Sequence, residues 1–455
     1  MGRKKWGQKS AQEEMFLVRL DRLVDPRHPL VKLGERVDWT WFEAQYAGQF
    51  GEVGRPPLPT RLVVALSILK HMENLSDEDV VAKWVENPYW QHFSGAEFFE
   101  HRLPCNPTSL TRWRSRFGEE GVKKILAESL RVAADEGLLK RSDLCEVVVD
   151  TTAQPKDITH PTDAKLLESA RKKLVKTARK AGLVLRRSYQ RVGKEAVFRS
   201  ARYRHARQMK RAKRQDKRLR TYLGAVMRDV RRKAAAAGLE VEGQLKEALT
   251  IAQRIHHQVR DPKAKNKVYS VHEPEVSCIA KGKAHQPFEF GSKVSITTTV
   301  KSSWVVGVES FSGNPYDGAT LATDLRGVQE VTGAEVKHTF VDKGYRGRKH
   351  HPAGVQVLIS GRKNLKPALQ KKLKRRQSVE PVIGHLKSDH RMRRNFLRGS
   401  LGDVLNAVLA AVGFNFRKLT RAWRLAWLFF VLLGIRLTSR LSAPAPGAPA
   451  LSAAT

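Results

Sequence analysis

The run Cys145-Glu146-Val147-Val148-Val149-Asp150 decides how this chain is read. Three consecutive valines predict an apolar strand, and the acid that ends it marks a strand edge opening onto a site. A second apolar run, His338-Thr339-Phe340-Val341-Asp342, ends the same way. A third acid, Glu380, lies in a helix-like stretch, with Arg376 four residues before it and Lys387 seven residues after it. Three separated acids that converge can hold two divalent cations, the arrangement that drives in-line attack on phosphodiesters.

The rest of the composition suits such a substrate. The chain has 455 residues, enough for two or three domains with a sizeable core. Lys and Arg number 84 against 45 Asp and Glu, a formal net charge of +39. A surplus that large implies nucleic acid or an anionic membrane as partner, because released counterions drive such binding. The three cysteines, Cys105, Cys145 and Cys278, have no zinc-ligand spacing and suggest no disulfide framework, which fits a reducing cytoplasm. The stretch from Met1 to Trp6 lacks an apolar signal core, and no G-x4-G-K-[ST] loop occurs, so no nucleotide cofactor is expected. Residues 422–437 are apolar, but Arg424 and Arg436 interrupt them and they fall short of a membrane span. A short packing helix is expected there, with no membrane partner.

Five stretches follow one another along the chain. Residues 1–140 read as a helical domain. Leu62, Ala65, Leu66 and Leu69 share one helical face, and Ser76-Asp77-Glu78-Asp79 resembles a capping box. Asn106-Pro107-Thr108-Ser109 caps a helix over 110–117 that carries Arg112, Arg114 and Arg116. Short helices ending in a basic one suit a DNA reader of the helix-turn-helix kind, and equally a plain bundle with solvated arginines. Residues 123–140 form a further helix leading to the strand at Asp150, and 141–164 hold that strand and its loop. Residues 165–265 differ in kind, because 165–235 alone contain 26 Lys and Arg against 4 Asp and Glu. They read as long basic helices, or as a like-charged run ordered only by its partner, with Arg211, Arg214 and Arg218 as phosphate contacts. Residues 266–420 return to strands: a hairpin of 291–300 and 304–311, a helix over 319–331, strands at 338–341 and 355–359, and a mainly helical 363–389 broken near Pro367 and Pro381. Residues 421–455 are the apolar helix and an Ala/Pro tail expected to be disordered. The sum is a mixed α/β fold, a sheet flanked by helices.

These motifs resemble those of bacterial insertion-sequence transposases of the DDE type, in the IS-five-like branch of the wider IS-four-like superfamily. The resemblance runs from about residue 56 to 419. Asp150-Thr151-Thr152 is similar to the family's first-acid motif, and Asp342-Lys343-Gly344-Tyr345-Arg346-Gly347 to its second. Arg376, Glu380 and Lys387 fall in register with the third, Y-x2-R-x3-E-x6-K, whereas Leu373 stands at the tyrosine position. The resemblance implies an RNase H-like catalytic core with a helical amino-terminal domain and a basic helical insertion after the first catalytic strand. It implies Asp150, Asp342 and Glu380 as catalytic ligands of two Mg²⁺ ions, with Mn²⁺ able to substitute, Asp150 bridging both. The partners implied are double-stranded DNA, as terminal inverted repeats and target, and further copies of the chain in a dimer or higher synapse. The location implied is the bacterial cytoplasm, at the nucleoid.

Other residues keep two readings. Arg376, Lys387, Lys343 and Arg346 suit DNA phosphates or solvent. Tyr345 either stacks on a base or packs beneath the glycine-flanked loop. His385 suits a polar contact better than a metal, Asp157 and Asp163 suit loop capping, and Asn314 and Asp317 read as turn residues. The same three acids would serve a nuclease that joins nothing, and a remnant would keep only the basic surface.

Overall fold

The structure, a computed structural model, describes residues 18–47, 58–238, 240–261, 263–280, 287–362 and 364–441. The amino-terminal residues 1–17 and the Ala/Pro tail from Ser442 lie outside the described residues. The chain divides into two units, 1–141 with 409–455, and 142–408.

The first unit is helical: α1 (Leu20–Leu23), α2 (Pro29–Arg36), α3 (Trp39–Ala47), α4 (Thr60–Met72), α5 (Asp77–Glu86), α6 (Pro88–Phe93) and α7 (Pro107–Asp135). Ser76 caps α5 through a complete capping box with Asp79, as its sequence implies. Asn106 caps α7, which merges the two helices expected over 110–117 and 123–140. Gly118, at φ +63°, marks the kink between them, in backbone that residues with a Cβ adopt at a cost. Leu62, Leu66, Trp84 and Phe93 fill the core, joined by Phe416 and Leu419 from the chain's last helix. That helix presses so close to α4 that a Cβ on Gly413 would lie 2.6 Å from the His71 backbone.

The second unit holds one sheet of β1 (Glu146–Pro155), β2 (Ser277–Ala280), β3 (Phe288–Thr299), β4 (Val305–Phe311), β5 (His338–Val341) and β6 (Gln356–Ile359). Its order is β2-β3-β1-β5-β6, with β4 also on β3. β1 runs antiparallel to β3 and parallel to β5, and β6 continues parallel beyond β5. Val147, Val148 and Val149 are completely buried, as a central strand requires.

Between β1 and β2 come α8 (Asp163–Lys180), α9 (Gln190–His205), α10 (Met209–Ala236) and α11 (Gly243–Arg260). The charged stretch is therefore folded. Leu167, Leu174, Leu223, Val226, Val230, Ala252 and Ile255 give these helices an apolar core of their own. Arg171 is buried in an ion pair with Glu168, whereas Arg211, Arg214 and Arg218 are exposed.

The sheet is covered on both faces. α12 (Asp317–Thr332) packs on β4 and β3. On the other face α13 (Pro367–Arg375) and α14 (Val379–Asp389) meet a cluster of Val148, Val300, Phe340, Leu358 and Val379. Pro367 starts α13 rather than breaking it, and Pro381 sits in the first turn of α14, where a missing N–H costs little. The break expected at these prolines falls instead at the 3₁₀ turn Arg376–Ser378. Leu373 packs against the apolar cluster. α15 (Gly399–Leu441) is continuous, so residues 422–437 end a long helix rather than form a separate one. Its part Gly399–Phe429 has the length and hydropathy of a membrane span, but 72% of the most apolar 18 residues of that part is buried in protein. Leu425, Trp427, Leu428 and Phe429 near its end are exposed, contrary to the packing expected of them.

Candidate active site

Parallel pairing sets Val148 beside Phe340, and two residues further on each strand stand Asp150 and Asp342. Strand alternation turns Asp150 to the face covered by α13 and α14, and the first turn of α14 carries Glu380. Arg376 links the outer two acids, its guanidinium 3.4 Å from Asp150 Oδ2 and 3.5 Å from Glu380 Oε1. Asp150 also accepts the Thr151 N–H at 2.8 Å. Burial, and next the charge of Asp342, push Asp150 up to about 6, while Arg376 opposes the rise. Asp342 accepts the Gly344 N–H at 2.8 Å and so caps the 3₁₀ turn Lys343–Tyr345. Glu380 stands at the rim with its side chain 64% exposed. Among the described residues no three Asp, Glu, His or Cys side chains close on a single point as metal ligands do.

A second acidic layer lies on the α12 face of the sheet. Asp317, expected to be a turn residue, accepts Thr151 Oγ1 at 2.8 Å and pairs with Lys293 Nζ at 2.5 Å. A Cβ on Gly344 would lie 2.8 Å from Asp317 Oδ2 and 2.9 Å from Asp342 Oδ1, so this glycine lets the second-acid loop close on both. Asp324 is 1% exposed. Burial pushes it up to about 7, with Glu309 and Asp317 adding to the rise and the hydroxyls of Thr320 and Ser295 opposing it. Asp317, Thr320 and Asp324 recur at helical spacing on one inward face, a polar stripe visible in the sequence but not singled out from it.

Residues 18–116 match the family model of a transposase domain (DUF772). Residues 342–420, which begin at Asp342 and include Arg376, Glu380 and Lys387, match that of a transposase DDE domain. An uncharacterized protein, ORF8 in the nfe locus of Rhizobium meliloti, is 46% identical over 199 residues, 44% of this chain and 96% of that protein. The chain belongs to the insertion-sequence DDE transposase family. No solved structure matches this transposase. Asp150 lies outside both matched segments, and its place in the site rests on the strand pairing.

Of the residues expected to face DNA, the transposase buries two. Tyr345 is 0% exposed, so it packs beneath the loop and does not offer its ring to a base. Arg114 is 5% exposed and holds both oxygens of Asp77. Burial alone would raise Asp77, but Arg114 and Lys70 hold it well below the carboxylate range. Arg114 is thus a structural ion-pair residue. Arg112, Arg116, Lys343, Arg346, Arg211, Arg214 and Arg218 are exposed. Lys387 lies 3.4 Å from Glu289 on β3, and His385 pairs with Asp389 at 2.8 Å.

A basic cleft of about 550 Å³ that was not singled out from the sequence lies between the α8–α9 connection and α10. Arg186, Arg187, Arg228 and Arg232 line it with Tyr189 and Asp229. Asp229 is engaged by the Arg186 N–H and by Arg232, and no described acid pairs with the guanidinium groups of Arg186, Arg187 or Arg228. Tyr189, at φ +53°, stacks on Tyr222 with ring centroids 4.9 Å apart.

Proposed function

We propose that this transposase binds the terminal inverted repeats of its own element, cleaves the phosphodiesters at the ends and joins the freed 3′-hydroxyls to target DNA. The carrying observation is the pair Asp150 and Asp342, each two residues beyond the paired Val148 and Phe340, Asp150 within β1 and Asp342 just past the end of β5; burial, and next the charge of Asp342, push Asp150 up to about 6 against the opposing Arg376. Clustered carboxylates, with oxygen donors throughout, fit hard divalent cations such as Mg²⁺ or Mn²⁺. Asp150 would be shared between two ions, with Asp342 and Glu380 each holding one. Bound there, such ions activate the attacking oxygen and stabilise the leaving one.

The chain's own residues do the rest. Arg376 holds Asp150 and Glu380 together until other cations replace it, and then has a guanidinium free for a phosphate. Lys343 and Arg346, exposed beside Asp342, and Lys387 on α14 place the scissile strand by its phosphates. The strand order β4-β3-β1-β5-β6, antiparallel up to β1 and parallel from β1 on, supports an RNase H-like core, in which α8–α11 are an insertion. The three unpaired guanidiniums in its cleft repel one another, and an anion relieves that repulsion. This favours DNA phosphate as occupant, with Arg211, Arg214 and Arg218 extending the surface. In the first unit Arg112 and Arg116 remain as contacts for the DNA ends. Two ends must meet, so a dimer or higher assembly is expected, with the exposed Leu425, Trp427, Leu428 and Phe429 of α15 as one candidate surface. The test substitutes Asp150, Asp342 and Glu380 singly by Ala. Each variant should lose cleavage while DNA affinity stays within a few-fold, and a variant that still cuts in Mg²⁺ refutes the assignment of that acid.

A further inference from the structure

The loop between α14 and α15 takes no part in the proposed cleavage chemistry. Its residues 391–398 hold four arginines and no acid. Phe396 stands 55% exposed among them. The guanidinium groups of Arg391 and Arg394 lie over its ring, 5.5 Å and 5.7 Å from the centroid. Arg394 also pairs with Asp157. Arg393 and Arg398 are exposed, and no acid pairs with either among the described residues. The backbone on both sides of the ring is fixed. The Asn395 N–H donates to the Pro155 carbonyl at 2.7 Å, and the Asn395 carbonyl accepts the Asp157 N–H at 2.9 Å. The Asn395 side chain accepts the Leu397 N–H at 2.9 Å and donates to Asp403 at 2.7 Å. Lys156, buried in its ion pairs with Glu273 and Asp403, donates to the carbonyls of Leu397 and Gly399 at 2.9 Å and 3.0 Å.

An aromatic ring is thus held out from a backbone locked to the end of β1, with cations around it. A ring held this way loses little further freedom when a ligand stacks on it. Planar rings and guanidinium groups both stack on nucleic-acid bases, and arginines also hold phosphates. In a duplex the faces of a base are covered by its neighbours, so a stacking group on a protein surface serves bases that have left the helix. A second copy of this chain is a poor occupant, because it carries the same net charge of +39. We infer that the loop 391–398 is a binding site for single-stranded DNA. An unpaired base stacks on Phe396 and the guanidinium planes beside it, while Arg393 and Arg398 take the flanking phosphates. Lys156 follows Asp150 by six residues of extended chain, about 20 Å at about 3.3 Å per residue, so the loop meets nucleotides away from the reacting phosphate. The site goes beyond the proposed cleavage reaction and does not depend on a metal ion.

The experiment measures, by fluorescence anisotropy, binding of the full-length chain to an oligothymidine of about twelve nucleotides and to a duplex of the same length. EDTA is present so that no strand is cut, and salt is held at about 200 mM, where phosphate contacts elsewhere on the chain count for less. Phe396→Ala should weaken binding of oligothymidine by about tenfold and of duplex by less than about twofold. Phe396→Tyr keeps the ring and should bind both as wild type does. The Arg393→Gln/Arg398→Gln variant should lower the salt slope on oligothymidine by about 1.4, at about 0.7 per phosphate on a single strand. It carries the test alone if Phe396→Ala melts below wild type. Wild-type affinity for oligothymidine in Phe396→Ala overturns the inference, as does a wild-type chain that does not hold oligothymidine. An equal loss on both DNAs makes the loop a general phosphate surface and overturns the stacking. An unchanged slope in the glutamine variant overturns the phosphate contacts. A wild-type dimer, seen by light scattering without DNA, that Phe396→Ala turns into a monomer gives the ring to a second copy and overturns the inference too.

Discussion

Replacing Asp324 by Asn should stabilise the second unit at alkaline pH and do little in acid. The carboxyl is 1% exposed with no cation paired to it among the described residues, and burial pushes it from 3.8 up to about 7. A group raised on folding contributes stability that is fully present below its unfolded value and is lost as pH rises through the folded one. Between 3.8 and about 7 the wild-type chain therefore loses stability that the Asn variant keeps. At one pKa unit per 1.36 kcal/mol, the difference is about 1 kcal/mol at pH 4.5 and about 4 kcal/mol at pH 8. The assay is hydrogen exchange of the β1 and β3 amides in the metal-free chain, which reads the opening free energy of this unit separately from the helical one. The Asn variant should open less readily than wild type by about 4 kcal/mol at pH 8 and by only about 1 kcal/mol at pH 4.5. An equal difference at both values, or a variant less stable at pH 8, would refute a charged Asp324 buried without a counter-ion.

Two further outcomes follow from the ion pairs and the cleft. Arg114→Ala leaves Asp77 with Lys70 alone in a buried setting, and should destabilise the helical unit by about 3 kcal/mol, while Arg112→Ala should cost it under about 0.5 kcal/mol; denaturant melts compare them, and equal effects would contradict the buried pair. Neutralising Arg187 and Arg228 together should lower the slope of log affinity against log salt by about 1.8, since each phosphate neutralised contributes about 0.9; an unchanged slope would take the cleft off the DNA.

What the sequence made legible was local. The valine run, the two acids that follow apolar runs and the hairpin flanking Lys301-Ser302-Ser303 are each specified by neighbours in the chain, and β1, β3, β4 and β5 form where they were expected, β1 running on past Asp150. The partnership of Asp150 with Asp342 was readable because both follow apolar runs, but Asp150 does not end its strand: β1 continues to Pro155, held by its pairing with β3. What escaped reading depended on pairing between distant segments. Asp317 looks like a turn residue after Asn314-Pro315 until Thr151 and Lys293 meet its carboxylate. Tyr345 and Arg114 are polar residues in basic surroundings, and nothing local shows that one is roofed by α12 or that the other has Asp77 waiting for it. The basic stretch over 165–235 was ambiguous for a similar reason. Its apolar residues recur at helical spacing, but only their meeting across four helices makes a core large enough to order so much like charge.

Asp150, Asp342 and Glu380 are proposed to cut and join DNA. This proposal is tested most directly by incubating the purified chain with Mg²⁺, a fragment bearing the element's ends and a supercoiled target, beside the Glu380→Ala variant. Joined products are expected with the wild-type chain and none with the variant. Tight DNA binding with neither cleavage nor joining, in Mn²⁺ as in Mg²⁺, would contradict it.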